Sequence, residues 1–281
     1  MNGFLLEHED SGVVEEFIKV RKVDTSRAGL ELVSNILRKF SVFPYENLSK
    51  IIKLNKNAGG MPHRTPAEIL QDNLSFNLGG TCFSLTNFLK KILDYFGFET
   101  YIIIADMKTA PNSHCALILN YNGQKYLLDA GYMIFDPLPL EKKVTVGGIL
   151  SKLLKYDEGK GRYTLFTFDG KRLVERYSFA DRPIGYDKFL HFWTESFHWR
   201  TMHGICLSKV TEEEFIYLHN RYYKVLKRGR KQKGNLQGDI ATAVKDVFGI
   251  PEEIVKKAEK ALIENIYFDK ELGYRVPSWV R

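Results

Sequence analysis

The chain has 281 residues, of which 44% are hydrophobic and 27% are charged, a balance typical of a folded globular protein and unlike a disordered or low-complexity chain. Lysine and arginine (41) exceed aspartate and glutamate (34), which gives a net charge of +7. This mild excess is compatible with nucleic acid, a membrane surface or a phosphate-bearing ligand, and selects none of them. A chain of this length is expected to form two or three domains.

The cysteine content and the apolar runs exclude several further classes. Cys82, Cys115 and Cys206 are too few and too scattered for a disulfide framework, and without a CxxC pair no thiolate zinc site is expected. Nucleophilic cysteine chemistry would need no metal. The N-terminus becomes acidic before an apolar run develops, so no secretory signal is predicted. The strongest apolar run, residues 101–105, is much shorter than the roughly 20 residues of a membrane-spanning helix. The sequence predicts a reduced, cytoplasmic protein.

The first 97 residues are predicted to be helical. Thr65 and Glu68 form a capping box with Pro66 at the first helical position, so a helix is expected to begin there. Gly97 is a natural end for a second helix. Two stripes at helical spacing support this prediction: Leu30, Val33, Ile36, Leu37 and Phe40, and Leu85, Phe88, Leu89, Ile92 and Phe96.

Residues 98 to about 180 are predicted to form strands. Asn122-Gly123 separates β-rich segments at 114–121 and 124–130, and Asp169-Gly170 separates segments at 163–168 and 172–179. Such dipeptides are strong hairpin signals. Strands in hairpin order indicate an antiparallel sheet or barrel rather than a parallel sheet.

The remainder of the chain has a mixed pattern. Phe189, Phe192, Trp193, Phe197 and Trp199 form an aromatic segment, interpreted first as interdomain core and alternatively as a wall of a substrate path. A strand pair turning at His219-Asn220 is expected. Residues 228–238 are predicted to be a mobile loop, and helices are predicted at 239–248 and from Pro251 to 263.

The segment Gly79-Gly80-Thr81-Cys82 carries the strongest chemical signal. The glycines permit a tight turn and close approach of another group, and Thr81 is a candidate N-cap. Cys82 then falls in the first turn of a helix, where the free N–H groups and the macrodipole stabilise a thiolate and can hold an oxyanion. The alternative interpretation is an ordinary buried cysteine.

The first hairpin supplies a candidate base for this cysteine. With Asn122-Gly123 as a two-residue turn, His114 and Asp129 lie on one face of the sheet as diagonal neighbours, roughly 7 Å apart at Cβ. A histidine held by a carboxylate is the base half of a catalytic triad. Cys115 points to the opposite face and is predicted to be core. An incidental surface pair is the alternative for His114 and Asp129.

These residues resemble the arylamine N-acetyltransferases, whose hallmark is Arg-Gly-Gly-x-Cys at the start of a helix, followed by a histidine and an aspartate on adjoining strands. Three further segments are similar to family signatures: Phe43-Pro44-Tyr45-Glu46-Asn47-Leu48, Leu128-Asp129-Ala130-Gly131-Tyr132 and Pro137-Leu138-Pro139-Leu140. The sequence departs from the family at four positions: Leu78 replaces the arginine, Ser84 and Thr86 replace glutamate and asparagine, and Met133 replaces a glycine.

The resemblance implies an α+β fold of three parts: a helical bundle over 1–97, an antiparallel β-barrel over 98–205 and an α/β lid over 206–281. It also implies a papain-like Cys-His-Asp site formed by Cys82, His114 and Asp129, with Gly80, Thr81 and Phe83 supporting the nucleophile and the oxyanion. The implied reaction is ping-pong transfer of an acetyl group from acetyl-CoA through a cysteine thioester. The acceptor would be an arylamine, a hydrazine or an N-hydroxyarylamine.

The basic run 221–233 contains seven positive charges and no acidic residue. Lys227, Arg228 and Arg230 are candidates for binding the phosphates of CoA. A nucleic-acid surface with Tyr222 and Tyr223 as stacking platforms is a second interpretation, which we do not favour. A solvated strand and loop is the third.

Two further classes of function are compatible with the same residues. An amide synthase or a transglutaminase-like hydrolase would use the same triad on another acyl group. A catalytically inert binding homologue would keep the fold without the chemistry, as the changes at Leu78 and Ser84 suggest.

Overall fold

The computed structural model of the chain describes residues 10–56, 62–108, 110–168, 171–227 and 230–280. The helical region predicted at the N-terminus is present. Its described helices are α1 (Asp10–Arg21), α2 (Gly29–Phe40), α3 (Leu48–Lys56), α4 (Pro66–Phe76) and α5 (Cys82–Tyr95).

The boundaries of these helices follow the local sequence. At the start of α4, the Thr65 hydroxyl accepts the Glu68 N–H and the Glu68 carboxylate accepts the Thr65 N–H, which confirms the predicted capping box. After α5 the chain turns at Gly97, whose φ of 73° suits glycine. The apolar stripe of α2 is buried, as its periodicity predicts.

An eight-stranded antiparallel sheet follows and curls into a nearly closed barrel, which confirms the predicted barrel. Its strands, numbered along the chain after the short β1 described below, are β2 (Thr100–Met107), β3 (Ala110–Tyr121), β4 (Gln124–Leu128), β5 (Leu138–Pro139), β6 (Lys143–Val146), β7 (Lys152–Asp157), β8 (Arg162–Phe168) and β9 (Leu173–Phe179). Their order in the sheet is β5-β4-β3-β2-β9-β8-β7-β6.

Both predicted hairpins are present. Tyr121 pairs with Gln124 around Asn122-Gly123, and the ladder runs as predicted to Leu117 opposite Leu128. Strands β8 and β9 pair as expected, and the Asp169-Gly170 turn predicted between them lies outside the described residues. The register of the first hairpin is the one that places His114 and Asp129 on the same face.

A second antiparallel sheet joins β1 (Tyr45–Glu46), from the helical region, to four strands of the C-terminal region: β10 (Cys206–Val210), β11 (Glu214–His219), β12 (Tyr222–Lys227) and β13 (Arg230–Asn235). Its strand order is β1-β10-β11-β12-β13. The remaining helices of the described chain are α6 (Tyr186–Glu195), a 3-10 turn at Arg200–Met202, α7 (Ile240–Phe248) and α8 (Glu252–Glu271).

Two details of this region differ from the sequence prediction. His219 pairs with Tyr222, so the turn is formed by Asn220 and Arg221 rather than by His219-Asn220. The predicted mobile loop at 228–238 was wrong for residues 230–235, which form β13 along β12. Half of the residues of β13 are basic, and the strand shows no alternation of apolar and polar side chains, so the sequence gives no strand signal there. The strand is recognised by its pairing with β12.

Strand β3 separates two cores because successive side chains point to opposite faces. Leu117 and Leu119 pack with the helices, whereas Ala116 and Ile118 lie inside the barrel. By the same alternation His114 belongs to the barrel face and Cys115 to the helix face. Among the helices described, none combines the length and apolarity needed to cross a membrane.

Candidate active site

The two glycines before Cys82 lie where no side chain fits. A Cβ on Gly79 would lie 2.0 Å from the Pro44 carbonyl oxygen, and one on Gly80 would lie 2.3 Å from the Ser84 hydroxyl oxygen. The close approach is held by hydrogen bonds, with the Gly80 N–H donating to Pro44 O at 3.2 Å and the Glu46 N–H donating to Gly80 O at 3.0 Å. The glycines therefore seat the start of α5 against strand β1.

Glu46 and Arg64 hold the Gly79-Gly80 segment in place through hydrogen bonds. The buried Glu46 carboxylate accepts the Gly79 N–H at 3.3 Å and the Ser49 N–H at 2.9 Å. The Arg64 guanidinium donates to the Gly79 carbonyl, to Ser49 Oγ at 2.7 Å and to Asp72 Oδ2 at 2.7 Å. Arg64 was not predicted as a site residue, because nothing in the local sequence connects it to Ser49 and Gly79, each 15 positions away.

Cys82 is the first residue of α5 and is 6% exposed. Thr81 occupies the N-cap position in an extended conformation, as predicted, but its hydroxyl makes no capping hydrogen bond. Phe83 is buried against Phe189 and Trp199, with ring centroids 5.5 and 5.9 Å away. The thiol thus sits at the positive end of a helix, in a partly aromatic environment.

His114 and Asp129 are directly hydrogen-bonded, with 2.8 Å between His114 Nε2 and Asp129 Oδ2. The same carboxylate accepts the Tyr177 hydroxyl at 2.5 Å and the Tyr132 N–H at 2.9 Å. The rings of Tyr177 and Tyr132 lie 4.5 and 5.0 Å from the His114 ring. These contacts fix the imidazole orientation and leave Nδ1 for Cys82. No local pattern could have identified Tyr177, because it comes from β9, which is distant in sequence.

The three predicted catalytic residues meet at Gly131. A Cβ built on this glycine would lie 3.1 Å from His114 Cε1, 3.2 Å from Cys82 Cβ and 3.3 Å from Asp129 Oδ1. The structure therefore brings Cys82, His114 and Asp129 together around one small residue, although they come from three different elements.

The electrostatics of the cluster favour a thiolate beside an imidazolium. A hydrogen bond from the Cys115 thiol, a hydrogen bond from His114 and the charges of His114 and Lys50 lower the pKa of Cys82 well below its ordinary value, against the opposing effect of burial. Burial alone would lower the pKa of His114, but the charge and hydrogen bond of Asp129, together with Cys82, raise it to about 10. The proton therefore resides on His114 at neutral pH.

Cys115 is buried on the helix face of β3, as predicted, but it is more than a core residue. Burial first, and then the interaction with the neighbouring Cys82 thiol, raise the pKa of Cys115 well above its ordinary value. Strand alternation placed Cys115 away from His114 correctly. It could not indicate that the N-terminus of α5 packs on that same face.

Cys82 and His114 open onto a cavity of about 450 Å³, named here the Cys82 cavity. Its aromatic lining comprises Tyr45, Phe83, Tyr132, Trp199, Phe215 and Tyr217. Three basic residues, Lys50, Arg176 and Lys224, also line it, whereas its described lining contains no aspartate or glutamate. Of the aromatic segment, Phe189, Trp193 and Phe197 are core residues and Trp199 reaches the cavity.

The residues predicted to bind CoA phosphates lie elsewhere. Lys227 is exposed, 3.6 and 3.7 Å from the carboxylates of Glu213 and Glu214, and it pairs on the neighbouring strand with the exposed Arg230. Neither is among the described residues that line the Cys82 cavity. Arg228 lies outside the described residues. The phosphate-binding role of these three residues stays a prediction.

A known family of proteins matches most of the chain. A family model described as N-acetyltransferase matches residues 30–256, most of the chain. The chain belongs to the arylamine N-acetyltransferase family.

Solved arylamine N-acetyltransferases share the fold. Arylamine N-acetyltransferase C from Bacillus anthracis is 21% identical to this chain and superposes with a TM-score of 0.67. The superposition covers 85% of this chain and 99% of that one. The enzyme from Mycobacterium abscessus is 18% identical with a TM-score of 0.73, covering 89% and 94%. A Bacillus cereus enzyme, 18% identical with a TM-score of 0.65 and coverage of 85% and 98%, is described as having a unique Cys-His-Glu catalytic triad.

Among curated proteins, an uncharacterized acetyltransferase of Bacillus subtilis strain 168, YvcN, is 27% identical over 149 residues. The alignment spans 49% of this chain and 56% of that protein, so the matched region is about half the length of this relative.

The departures from the arylamine N-acetyltransferase motif acquire a structural context. Leu78, at the position of the family arginine, is buried in an apolar cluster with Leu48 and Ile205. The carbonyl of the next residue, Gly79, accepts a hydrogen bond from Arg64. Ser84 Oγ donates to the Thr81 carbonyl at 3.0 Å. Met133, which replaces a glycine, keeps the positive φ (53°) that glycine adopts readily.

Proposed function

We propose that this protein transfers an acetyl group from acetyl-CoA, through a thioester on Cys82, to the nitrogen of an arylamine, a hydrazine or an N-hydroxyarylamine. The observation that carries the proposal is the placement of Cys82 and His114 against the same small residue, Gly131, at an aromatic cavity, with His114 Nε2 2.8 Å from the buried Asp129 carboxylate. Family membership supports the reaction class.

In the acylation step, the Cys82 thiolate attacks the carbonyl carbon of the thioester. Backbone N–H groups at the start of α5, around Cys82 and Phe83, would stabilise the developing oxyanion. The Thr81 hydroxyl makes no capping bond to the helix start, which supports this role. The carbon–sulfur bond to CoA then breaks, and the leaving CoA sulfur takes the proton held by His114. A thioester exchanged for a thioester is near balance in energy, so the acyl-enzyme is usable.

In the second step, the amine nitrogen attacks the acyl carbon on Cys82. His114, now neutral, accepts the proton of the amine, and the Cys82 thiolate leaves, restoring the thiolate–imidazolium pair. Asp129 stays ionised throughout and stabilises the imidazolium. Its pKa stays low because the charge and hydrogen bond of His114, the Tyr177 hydroxyl and the Tyr132 N–H outweigh the effect of burial.

The Cys82 cavity supports an aromatic acceptor. Tyr132 and Trp199 are placed to contact a flat ring, and Phe83 anchors the wall beside the nucleophile. We also retain the division into a helical bundle (1–97), a barrel (98–205) and a lid (206–281) as a proposal. Pairing of β1 with β10 would then join the first part to the third.

Intact-protein mass spectrometry tests the proposal directly. Incubation with acetyl-CoA should release one CoA and add one acetyl mass that maps to Cys82, and addition of an arylamine should remove the adduct and yield the amide. Cys82→Ala should show neither event. Lack of adduct and of CoA release, in protein whose Cys82 still reacts with iodoacetamide, would contradict acetyl-CoA as donor and point to another acyl group.

A further inference from the structure

Lys50 is a buried cation in the wall of the Cys82 cavity. It lies on α3, is 5% exposed, and shares the cavity with Cys82 and His114. The charges of Lys50 and Cys82 interact, since the ammonium contributes to lowering the pKa of the thiol. Lys50 therefore lines the same cavity as the proposed nucleophile and its base.

The partners of this ammonium are neutral in the part of the chain that the structure describes. Nζ donates to the Ser196 carbonyl at 2.9 Å and to Ser196 Oγ at 2.5 Å, and it lies 4.4 Å from the centroid of the Phe197 ring. Buried charges in proteins are usually paired with an opposite charge. Burial lowers the pKa of Lys50 to about 7, against a weak opposing effect of the two cysteines.

The rest of the cavity reinforces the sign of the charge. Arg176 and Lys224 line it as well, and its described lining residues include no carboxylate. Asp129 is buried behind His114, where the histidine and Tyr177 occupy it. A cavity whose charged lining residues are all positive and whose walls have a low dielectric constant attracts anionic groups.

We propose that Lys50 is a specificity-determining residue that binds a carboxylate carried by the group placed next to Cys82. This inference rests on the proposed acyl transfer. The carboxylate would come either from the acyl group, as in a dicarboxylic acyl-CoA, or from an acidic aromatic amine. The phosphates of CoA are a weaker candidate, because the whole pantetheine arm separates them from the thioester that must reach Cys82.

The test compares acidic substrates with neutral near-isosteres. One arm measures kcat/KM for malonyl-CoA against butyryl-CoA, and the other measures 4-aminobenzoate against 4-aminobenzamide with acetyl-CoA as donor. A carboxylate that hydrogen-bonds a desolvated ammonium should give a preference of about tenfold or more in one arm. The arm in which it occurs identifies the source of the carboxylate.

Lys50→Met and Lys50→Gln remove the charge in two ways, so that a folding defect in one leaves the other to decide. Each should reduce the acid-over-neutral ratio of kcat/KM about tenfold or more, and the ratio is the readout because any loss of thiolate stabilisation affects both substrates equally. Lys53→Met is the matched control, because Lys53 lies one turn further along α3, pairs with Glu68 and is not among the described lining residues of the cavity. It should leave the ratio unchanged.

Two results would overturn this inference. One is a wild-type ratio near one in both arms. The other is an equal loss of acidic and neutral turnover in both Lys50 variants, which would assign Lys50 to thiolate stabilisation alone. Turnover of neutral substrates without preference contradicts only this inference. Failure of the wild type to be acetylated by acetyl-CoA contradicts the proposed function as well.

Discussion

Two buried cations in the helical region, Arg64 and Lys50, have opposite surroundings. They are 4% and 5% exposed. Arg64 lies 2.7 Å from the Asp72 carboxylate and 3.8 Å from that of Glu46, and it also holds the Gly79 carbonyl. Lys50 has the carbonyl and hydroxyl of Ser196 and the face of Phe197. Each therefore indicates a different kind of task.

The difference indicates that Arg64 supports the nucleophile segment, whereas Lys50 is available to bind a substrate group. Arg64 is part of a complete polar network below the nucleophile segment, where a guanidinium with several donors can satisfy several acceptors at once. Lys50 lines an open cavity, and its hydrogen-bond partners in the described structure are neutral groups. A buried charge that is already paired stabilises the native geometry, whereas one that faces a cavity is available to a ligand.

The largest expected difference between Arg64 and Lys50 is in the free energy of unfolding when each is replaced by methionine. Arg64→Met leaves the buried Glu46 carboxylate without its cation, so we expect a loss of about 3 to 5 kcal/mol in the free energy of unfolding. Lys50→Met replaces a desolvated ammonium with an apolar chain of similar length, so we expect a change within about 1 kcal/mol. Urea denaturation followed by circular dichroism measures both.

Equal destabilisation by the two substitutions would contradict the distinction, because Lys50 would then be as structural as Arg64. Arg64→Met should also slow alkylation of Cys82, since the Gly79 carbonyl loses its donor. Normal stability and normal Cys82 reactivity in Arg64→Met would show that the clamp on Gly79 is unnecessary.

Substitutions of Gly79 and Gly80 test the segment that the Arg64 network holds in place. Gly79→Ala places a Cβ 2.0 Å from the Pro44 backbone oxygen, whereas the Cβ of Gly80→Ala comes closer than 3.5 Å only to the side-chain hydroxyl of Ser84, at 2.3 Å, among the described residues. Each should cost about 1 to 3 kcal/mol and lower kcat/KM about tenfold or more. Adding Ser84→Ala should rescue Gly80→Ala, because 3.5 Å to Ser84 Cβ is ordinary contact, but not Gly79→Ala.

Gly12→Ala provides the matched glycine control. Gly12 lies in α1, and a Cβ there would meet nothing within 4 Å, so the change should preserve activity and raise stability by about 0.5 to 1 kcal/mol. Rescue of Gly79→Ala by Ser84→Ala would show that the backbone contact with Pro44 is not what requires glycine.

Much of this arrangement could be predicted from the sequence because it is locally encoded. The Thr65–Glu68 capping box, the Asn122-Gly123 turn and the position of Cys82 after two glycines are short patterns with direct structural consequences. Strand alternation was sufficient to predict that His114 and Asp129 share a face. The motif resemblance then gave the order of helices, barrel and C-terminal region.

The features that sequence analysis missed depend on contacts between distant segments. Arg64 reaches Gly79, Tyr177 reaches Asp129, and Lys50 reaches Ser196, and in each case neither side chain carries a local signal of the other. Cys115 was predicted to be core because its strand face was known but the helix packed on that face was not. The edge strand β13 was missed because its residues are basic and lack alternation.

The smallest predicted effect is the contribution of Lys50 to the pH dependence of Cys82 alkylation. Because the pKa of Cys82 is held well below its ordinary value, the thiolate should persist, and iodoacetamide should react rapidly, far below the pH near 8.5 where a free thiol loses reactivity. Burial lowers the pKa of Lys50 to about 7, so its charge supports the thiolate only at more acidic pH.

Lys50→Met should therefore raise the pKa of Cys82 and move the acid limb of the alkylation profile upward by less than about one pH unit, with equal rates above about pH 8. Lys53→Met should leave the profile unchanged, since its charge is paired with Glu68. His114→Gln should move the limb much further, because the imidazolium supplies both a hydrogen bond and a charge to the thiolate. A shift in Lys50→Met as large as that in His114→Gln would make Lys50 a principal stabiliser of the nucleophile. No shift at all would leave it free of that role and strengthen its assignment to an anionic substrate.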